Sequence, residues 1–325
     1  MEWLQAAAAA AAEQAPTQSR PIPPVVPGRV LHFDGDLLCY WAGGSEDTTV
    51  EQSRTRAAGR VEAMRELAGA ESVVMHMTAD ASTKGDRRII ATVKGYQVQR
   101  KSSRKPKNWA YLREWLAGQS RWRVKMWATR EADDGIALCA HDAYRKGQQP
   151  IAIGSGDKDM RMLPGIHVNW QTFEVTEVPY HAYDVVGADG KQYGYKWFFQ
   201  QMLQGDTADN IPGLPEFNGK KVGEVTAASL LKDCTSVGEA WGRVQECYED
   251  CYGDGAKAAF TEQAMLLWLR TDHAAWCGDF WTVLNDFGGA PGGYLKTINA
   301  VQARIQEAYA EAQSLGSGAV PQDRA

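Results

Sequence analysis

The sequence predicts an α/β fold, in which a twisted parallel sheet is flanked by helices and followed by a mainly helical region. Short apolar segments alternate with segments of helical spacing between residues 29 and 154, a pattern typical of parallel sheets with crossover helices. Acidic residues directly follow several of the apolar segments. From about residue 196 onward, helical spacing dominates. With 325 residues, the chain can form one large domain or two modest ones.

The strands are predicted from short apolar runs, and the helices from apolar residues that recur three or four positions apart. Strands are expected at residues 29–33, 71–78, 121–127 and 150–154, and helices near 54–67 and 133–145. In the second region, helices are expected at 197–203, 222–231, 237–248 and 256–269. Because ligands of parallel sheets bind at the carboxyl ends of the strands, that edge is where a functional site is expected.

The two ends of the chain carry no predicted chemistry. Residues 1–28 contain seven consecutive alanines and a stretch rich in Pro, Gln and Ser, so we expect a low-complexity or disordered extension. Residues 314–325 are expected to form a flexible tail. The predicted core runs from 29 to 195, and the helical region from 196 to 313.

Composition favours a protein of a reducing compartment. The six cysteines form no CxxC pair, and no apolar run reaches the length of a membrane span. The start of the chain also lacks the basic segment of a signal peptide. We therefore expect a cytoplasmic protein that is not bound to a membrane.

A local basic segment stands out in a chain whose net charge is −5. Nine Lys or Arg residues and a single acidic residue, Asp86, lie between Lys84 and Lys107. Such a segment can be a solvated loop, but it is also typical of phosphate binding. Aromatic residues follow within and after it; Trp109 and its neighbours also have helical spacing, so we assign the rings to the core and the basic residues to function.

Carboxylates cluster at four places that follow apolar runs of the chain. They are Asp34, the cluster 131–134, the pair Asp157 and Asp159, and the pair Asp206 and Asp209. Lone acidic residues can simply cap helices, a part we expect Asp36 to play, and acidic first turns suit the helix dipole. Gathering so many carboxylates at one sheet edge nevertheless requires a cation, which predicts a divalent-metal site.

The string GDTADNIPG at 205–213 is the most specific in the chain. It predicts a polar turn that ends a helix. Lys220 and Lys221 follow near the predicted start of the next helix, an arrangement suited to holding a phosphodiester. The alternative is a structural helical hairpin with solvated lysines.

These strings together resemble the 5′ nucleases, which include flap endonucleases, the 5′-nuclease domain of DNA polymerase I and bacteriophage 5′→3′ exonucleases. The matching strings are HFDGD (32–36), EADD (131–134), GDKD (156–159) and GDTADNIPGLP (205–215). The resemblance covers residues 29 to 232, and among these nucleases the phage exonucleases are the most similar. It implies a PIN-like core, a basic arch at about 84–108, and a helix–three-turn–helix element at about 197–232 that holds duplex DNA.

The resemblance also implies a set of site residues and two divalent ions, Mg²⁺ or Mn²⁺. One ion is assigned to Asp34, Asp80, Glu131 and Asp133, and the second to Asp134, Asp157, Asp159, Asp206 and Asp209. The catalytic residues expected among them are Asp34, Glu131, Asp133, Asp157, Asp159 and Asp206. The DNA contacts expected are Arg87, Lys94, Arg100, Lys101, Lys220 and Lys221.

One position departs from the pattern of the phage members. Their arch carries a Tyr-Lys-x-Asn-Arg string, and Gln97 stands here where the lysine is expected. Lys94 could substitute if that segment is helical.

The predicted function is a metal-dependent 5′→3′ exonuclease or 5′ flap endonuclease that acts on DNA as a monomer, in the host cytoplasm if a phage encodes it. RNA–DNA hybrids are further candidate substrates. The alternatives are a PIN-type ribonuclease and a DNA-binding paralogue with weak or no catalysis.

Overall fold

The computed structural model of the protein describes residues 21–102, 104–217, 219–287 and 292–315. The first twenty residues of the expected extension and nearly all of the expected tail lie outside these ranges. A six-stranded sheet has the order β3-β2-β1-β4-β5-β6. Its strands are β1 (Val26–Asp34), β2 (Ala70–Thr78), β3 (Arg123–Trp127), β4 (Ala152–Gly154), β5 (Gly165–Val168) and β6 (Val175–Val178).

The predicted parallel sheet is confirmed for the first five strands. The sixth strand, β6, pairs antiparallel with β5 because a short hairpin joins the two. Neither strand was predicted from the sequence. Two further strands, β7 (Val185–Val186) and β8 (Gln192–Tyr193), form a separate antiparallel ribbon.

Helices cover both faces of the sheet and make up most of the second half of the chain. Those of the first half are α1 (Gly35–Ala42), α2 (Val50–Leu67), α3 (Arg87–Ile90), α4 (Trp109–Ala117) and α5 (Ala132–Arg145). The helices that follow are α6 (Tyr195–Gln204), α7 (Glu224–Leu230), α8 (Val237–Tyr252), α9 (Ala256–Leu267), α10 (Asp279–Asn285) and α11 (Leu295–Ser314). Every predicted helix has a counterpart. Helices α1, α3, α10 and α11 were not predicted, and α4 was indicated only by the helical spacing of Trp109 and its neighbours.

Two hydrophobic cores lie on opposite faces of the sheet. Alternate strand residues such as Phe33 and Met75 point into the first core, beneath α1, α2 and α4. The second core packs α5 and β4 against the helices from α6 to α11, with Phe198 and Trp241 fully or nearly fully buried. The mainly helical region is therefore held against the sheet by a continuous apolar core.

The basic segment 84–108 does not form one long helix. Its described part contains the four-residue helix α3 and a 3₁₀ turn at Val98–Ser102. Residues 91–97 are not helical, so Lys94 does not lie one helical turn before Gln97. The condition for Lys94 to replace the expected lysine, a helical segment, is therefore not met.

Candidate metal site and nucleic-acid surface

The parallel strands β3, β2, β1 and β4 end at the same edge of the sheet, and acidic segments follow β1, β3 and β4 at this edge. Asp34 is the last residue of β1, while Glu131 caps the N-terminus of α5. Asp157 follows β4 and caps a 3₁₀ turn at Lys158–Met162. Close approach of α5 to β3 depends on Gly135, where a Cβ would lie 2.2 Å from the Trp127 ring.

Asp34 both caps a helix and faces the acidic site. One of its carboxylate oxygens accepts a hydrogen bond from the Leu37 amide at 2.9 Å, and the other accepts one from the Ser155 hydroxyl at 2.9 Å. Burial and then the charge of Asp36 raise the pKa of Asp34 to about 6. The cap expected of Asp36 is thus made by Asp34, and Asp36 instead accepts the Thr78 amide and pairs with Arg113.

Asp133 and Asp157 show the strongest accumulation of negative charge. Burial, followed by the charges of Asp34 and Asp157, raises the pKa of Asp133 well above its usual range. Burial and then the charge of Asp159 raise the pKa of Asp157 to about 7. Within the described residues, the Asp133 carboxylate has neither a hydrogen-bond donor nor an ion-pair partner. Its carboxylate therefore does not cap the helix, and its role as a metal ligand stays a prediction.

A second acidic group comprises Asp159, Asp206 and Asp209, whose carboxylate oxygens lie within 4.8 Å of one another. The loop 205–213 places two of them. Gly205 and Gly213 adopt φ values of +71° and +64°, and a Cβ on Gly213 would lie 2.2 Å from the Gly205 amide nitrogen. This close approach explains why the predicted turn needs glycine at both ends.

Two lysines partly neutralise the acidic residues at this edge of the sheet. Lys158 donates from Nζ to Asp159 at 2.9 Å and to Asp206 at 2.7 Å. Lys84 donates to Glu131 at 2.9 Å and to Gln97 at 2.6 Å. Neither lysine was selected as a site residue from the sequence. The signal for Lys158 was its place between two aspartates, whereas the proximity of Lys84 to Glu131 depends on the fold.

Two predicted site residues belong instead to a buried ion pair. Asp134, whose side chain has no exposed surface, receives two hydrogen bonds of 2.7 Å from the Arg87 guanidinium. It also accepts the amides of Glu131 at 3.0 Å and Arg270 at 2.9 Å. Burial alone would raise the pKa of Asp134, but Arg87 outweighs it and lowers the pKa to about 2.

These contacts correct the roles predicted for Asp134 as a metal ligand and Arg87 as a DNA contact. The Arg87 side chain is only 2% exposed, and its remaining donors bind the carbonyls of Lys84, Leu266 and Trp268. Its partners within the described chain leave no face of this guanidinium for a phosphate.

Asp80 is not brought into either acidic group. Its side chain is 93% exposed, and its partner is Arg113 at 3.6 Å. The residue lies in the turn after β2, where the chain continues toward the basic segment. The described contacts therefore do not group Asp80 with the other acidic residues, and its role as a metal ligand stays a prediction.

The predicted DNA contacts are only partly on the surface. Lys94, Lys220 and Lys221 are exposed, and Arg100 is half-exposed and paired with Asp209. The side chain of Lys101 lies outside the described residues. Lys220 and Lys221 lie four and three residues before α7, which begins at Glu224.

Parts of the chain match curated proteins. A 5′-3′ exonuclease of Buchnera aphidicola subsp. Schizaphis graminum is 32% identical over 119 residues, which are 36% of this chain and 38% of that protein. DNA polymerase I of Bacillus subtilis is 34% identical over 116 residues, which are 33% of this chain and 12% of the polymerase. The chain thus matches well under half the length of these relatives. No protein-family model matches it.

The fold is shared with solved structures from bacteriophage T5. One is its 5′-exonuclease with zinc ions bound, which covers 85% of this chain and 98% of its own at 14% identity, with a TM-score of 0.53. Another is the D15 flap endonuclease in a pseudo-enzyme–product complex with DNA and metal ions, covering 86% and 99% at 12% identity, with a TM-score of 0.52. The predicted fold class is confirmed. Over the matched stretches the chain is similar to a 5′-3′ exonuclease and to DNA polymerase I, in line with the resemblance of its motifs.

Proposed function

We propose that the protein is a divalent-metal-dependent 5′ nuclease that hydrolyses phosphodiester bonds of DNA at a 5′ end or a 5′ flap. The observation that carries this proposal is the accumulation of carboxylates at one edge of the sheet, including Asp133, which has no donor of its own among the described residues. The similarity to 5′-3′ exonucleases and to a flap endonuclease solved with DNA supports it.

The donor set fits hard divalent cations such as Mg²⁺ or Mn²⁺, which prefer carboxylate oxygens. Asp34, Asp133 and Asp157 would hold one ion. Asp159, Asp206, Asp209 and Glu131 would hold the second, in part through water. Burial and, after it, the repulsion of neighbouring carboxylates raise the pKa of Asp133 and Asp157. A bound cation would offset both effects, which favours occupancy and ionisation.

When bound at these carboxylates, the ions would supply activation of a water molecule and stabilisation of the leaving oxygen in an in-line displacement. The protein's own part is to hold the ligands in place. The Asp34 carboxylate is oriented by the Leu37 amide and the Ser155 hydroxyl, and Asp157 is oriented by the Asp159 amide at 2.9 Å. No side chain is required as the general base.

Lys84 is the cation that the fold brings nearest to Gln97. Its Nζ lies 2.6 Å from the Gln97 side-chain oxygen, whereas Lys94 is exposed and makes no contact with the acidic residues of the described chain. We propose that Lys84 supplies the positive charge that the phage pattern would place at position 97. Lys220 and Lys221 would hold the duplex behind the cut through its phosphates.

The experiment that tests the proposal is digestion of 5′-labelled DNA by the full chain. A blunt duplex and a 5′-flapped duplex are incubated with Mg²⁺ and, separately, with excess EDTA. We expect Mg²⁺-dependent cleavage, and the product lengths will separate exonucleolytic trimming from flap removal. RNA and RNA–DNA hybrid substrates run in parallel test the ribonuclease alternative. Absence of a Mg²⁺-dependent product from folded protein would refute the proposal.

A further inference from the structure

Residues 95–100, which we call the latch, lie across the oxygens of two proposed metal ligands. The Gln97 side-chain nitrogen donates to Asp209 at 3.0 Å and to Glu131 at 3.3 Å. The guanidinium of Arg100 forms an ion pair with Asp209. Donors from the chain itself therefore use the same oxygens that a divalent ion would require.

The hydroxyl of Tyr96 lies close to two carboxylates and cannot donate a hydrogen bond to both of them. Its oxygen lies 2.6 Å from a Glu131 carboxylate oxygen and 2.8 Å from an Asp209 carboxylate oxygen. A phenol carries one hydrogen, so it can donate to only one carboxylate at a time. The Tyr96 oxygen and the oxygen of the second carboxylate then lie close together with no hydrogen between them, unless a carboxyl group is protonated. A divalent cation between Glu131 and Asp209 would satisfy both carboxylates instead.

The latch is docked on the loop 207–210 in a strained backbone conformation. The Gln97 amide donates to the Asp209 carbonyl at 3.1 Å, and the Asn210 side chain donates to the Gly95 carbonyl at 2.9 Å. Gln97 and Asn210 adopt φ values of +55° and +64°. A left-handed conformation costs roughly 1–2 kcal/mol for a residue such as glutamine, whereas asparagine adopts it readily. The docked form is thus held by these hydrogen bonds and by the Tyr96 ring, which is buried in the apolar core, against the backbone cost at Gln97. Loss of some of the hydrogen bonds favours release.

The chain on either side of the latch is fixed independently of the acidic site. On one side, the Thr92 and Val93 amides donate to the buried Glu262 carboxylate at 2.9 and 3.1 Å. On the other side, the Asn108 side chain donates to the Ser53 hydroxyl at 3.0 Å. Residues 95–100 can therefore leave the carboxylates while both flanks stay in place.

We propose that the latch and divalent cations compete for Glu131 and Asp209, so that metal binding releases residues 95–100 from the acidic site. The inference rests on the metal site of the proposed function. Release would turn the Arg100 guanidinium from an internal ion pair into a group available to a DNA phosphate. Metal binding would in this way prepare the nucleic-acid surface before any substrate arrives.

The test measures latch release without DNA. The full chain is titrated with Ca²⁺ by calorimetry, and amide hydrogen exchange at Gln97 is followed with Ca²⁺ and with EDTA. Trypsin cleavage after Lys94 and Arg100 provides a second measure. We expect saturating Ca²⁺ to accelerate both exchange and cleavage by about tenfold or more, the change produced when a closed population near 90% becomes open.

Two latch variants separate competition from simple charge effects. Tyr96→Phe removes the hydroxyl without changing charge, and Arg100→Ala removes the ion pair. Each should lower the Kd for Ca²⁺ by about threefold to tenfold and speed exchange in EDTA. Arg104→Ala is the matched control, because it removes an equal charge from a side chain that is 78% exposed and paired with Glu46; both readouts should stay at wild-type values.

The possible outcomes distinguish the two proposals. If Ca²⁺ binds but exchange and cleavage stay unchanged or slow down, the latch inference is overturned while the metal site stands. If Ca²⁺ does not bind to the folded protein, the proposed metal site itself fails. If Arg104→Ala behaves like Arg100→Ala, the effect is general electrostatics and the latch inference is again overturned.

Discussion

Replacing Asp134 with asparagine tests whether this residue stabilises the fold or ligates a metal. The substitution keeps the shape of the side chain but leaves the Arg87 guanidinium, 2% exposed, without a negative partner. Removing one member of a buried ion pair costs about 3–5 kcal/mol, because the remaining charge stays buried and unpaired. The asparagine amide would also direct hydrogen atoms toward the donors of Arg87.

The lowered pKa of Asp134 indicates that losing this ion pair costs a free energy of the same order. Its lowering from 3.8 to about 2 corresponds to about 2 kcal/mol in favour of the ionised, folded form. Since the folded pKa is lowered, this stabilisation is present above the unfolded pKa and is lost as the pH falls through about 2. The difference between wild type and Asp134→Asn should therefore be constant near neutral pH and shrink between about pH 4 and pH 2.

The assay is urea unfolding in EDTA, followed by Ca²⁺ titration at a temperature where both proteins are folded. We expect Asp134→Asn to lose about 2–5 kcal/mol of stability and to retain metal binding. Asp159→Asn is the matched control, because it removes a carboxylate from the acidic group without leaving a buried arginine. It should weaken metal binding and change stability by less than about 1 kcal/mol. Unchanged stability of Asp134→Asn with weakened Ca²⁺ binding would show that Asp134 is a ligand.

Three further predictions concern catalysis, DNA binding and pH. Asp157→Asn should abolish Mg²⁺-dependent cleavage while DNA binding, measured by gel shift in Ca²⁺, stays intact or tightens; wild-type turnover would refute its place in the site. Replacing Lys220 and Lys221 with alanine should weaken duplex binding and reduce the slope of log K against log salt by about 1 for each phosphate that is no longer neutralised. An unchanged slope would exclude these two lysines from the DNA interface. Because burial raises the pKa of Asp34 to about 6 and of Asp157 to about 7, stability in EDTA should fall as pH rises from about 4 to 7. Ca²⁺ should restore it, and thermal melts that are flat over this range would contradict the assignment.

The described helices include none with the length and apolar character of a membrane span. The domain limits at 29–195 and 196–313 stay predictions, and the continuous core shared by α5, β4 and the later helices shows how tightly the two parts are packed.

The sequence by itself was enough for the α/β class, the four parallel strands and the acidic strand ends. These features follow from local patterns: apolar runs specify strands, and parallel strands put their carboxyl ends at one edge. The antiparallel strand β6 was missed because β5 and β6 are four residues each and their pairing is set by tertiary contacts.

Only the tertiary structure decided which charged residues serve the site and which serve the fold. Asp133 and Asp134 are adjacent in sequence and identical in chemistry, yet one faces other carboxylates and the other faces Arg87. Helical neighbours point about 100° apart, so sequence adjacency says nothing about shared environment. Likewise, Lys84 lies 47 residues from Glu131 in the chain, and only the folding of the basic segment brings its charge to the carboxylates.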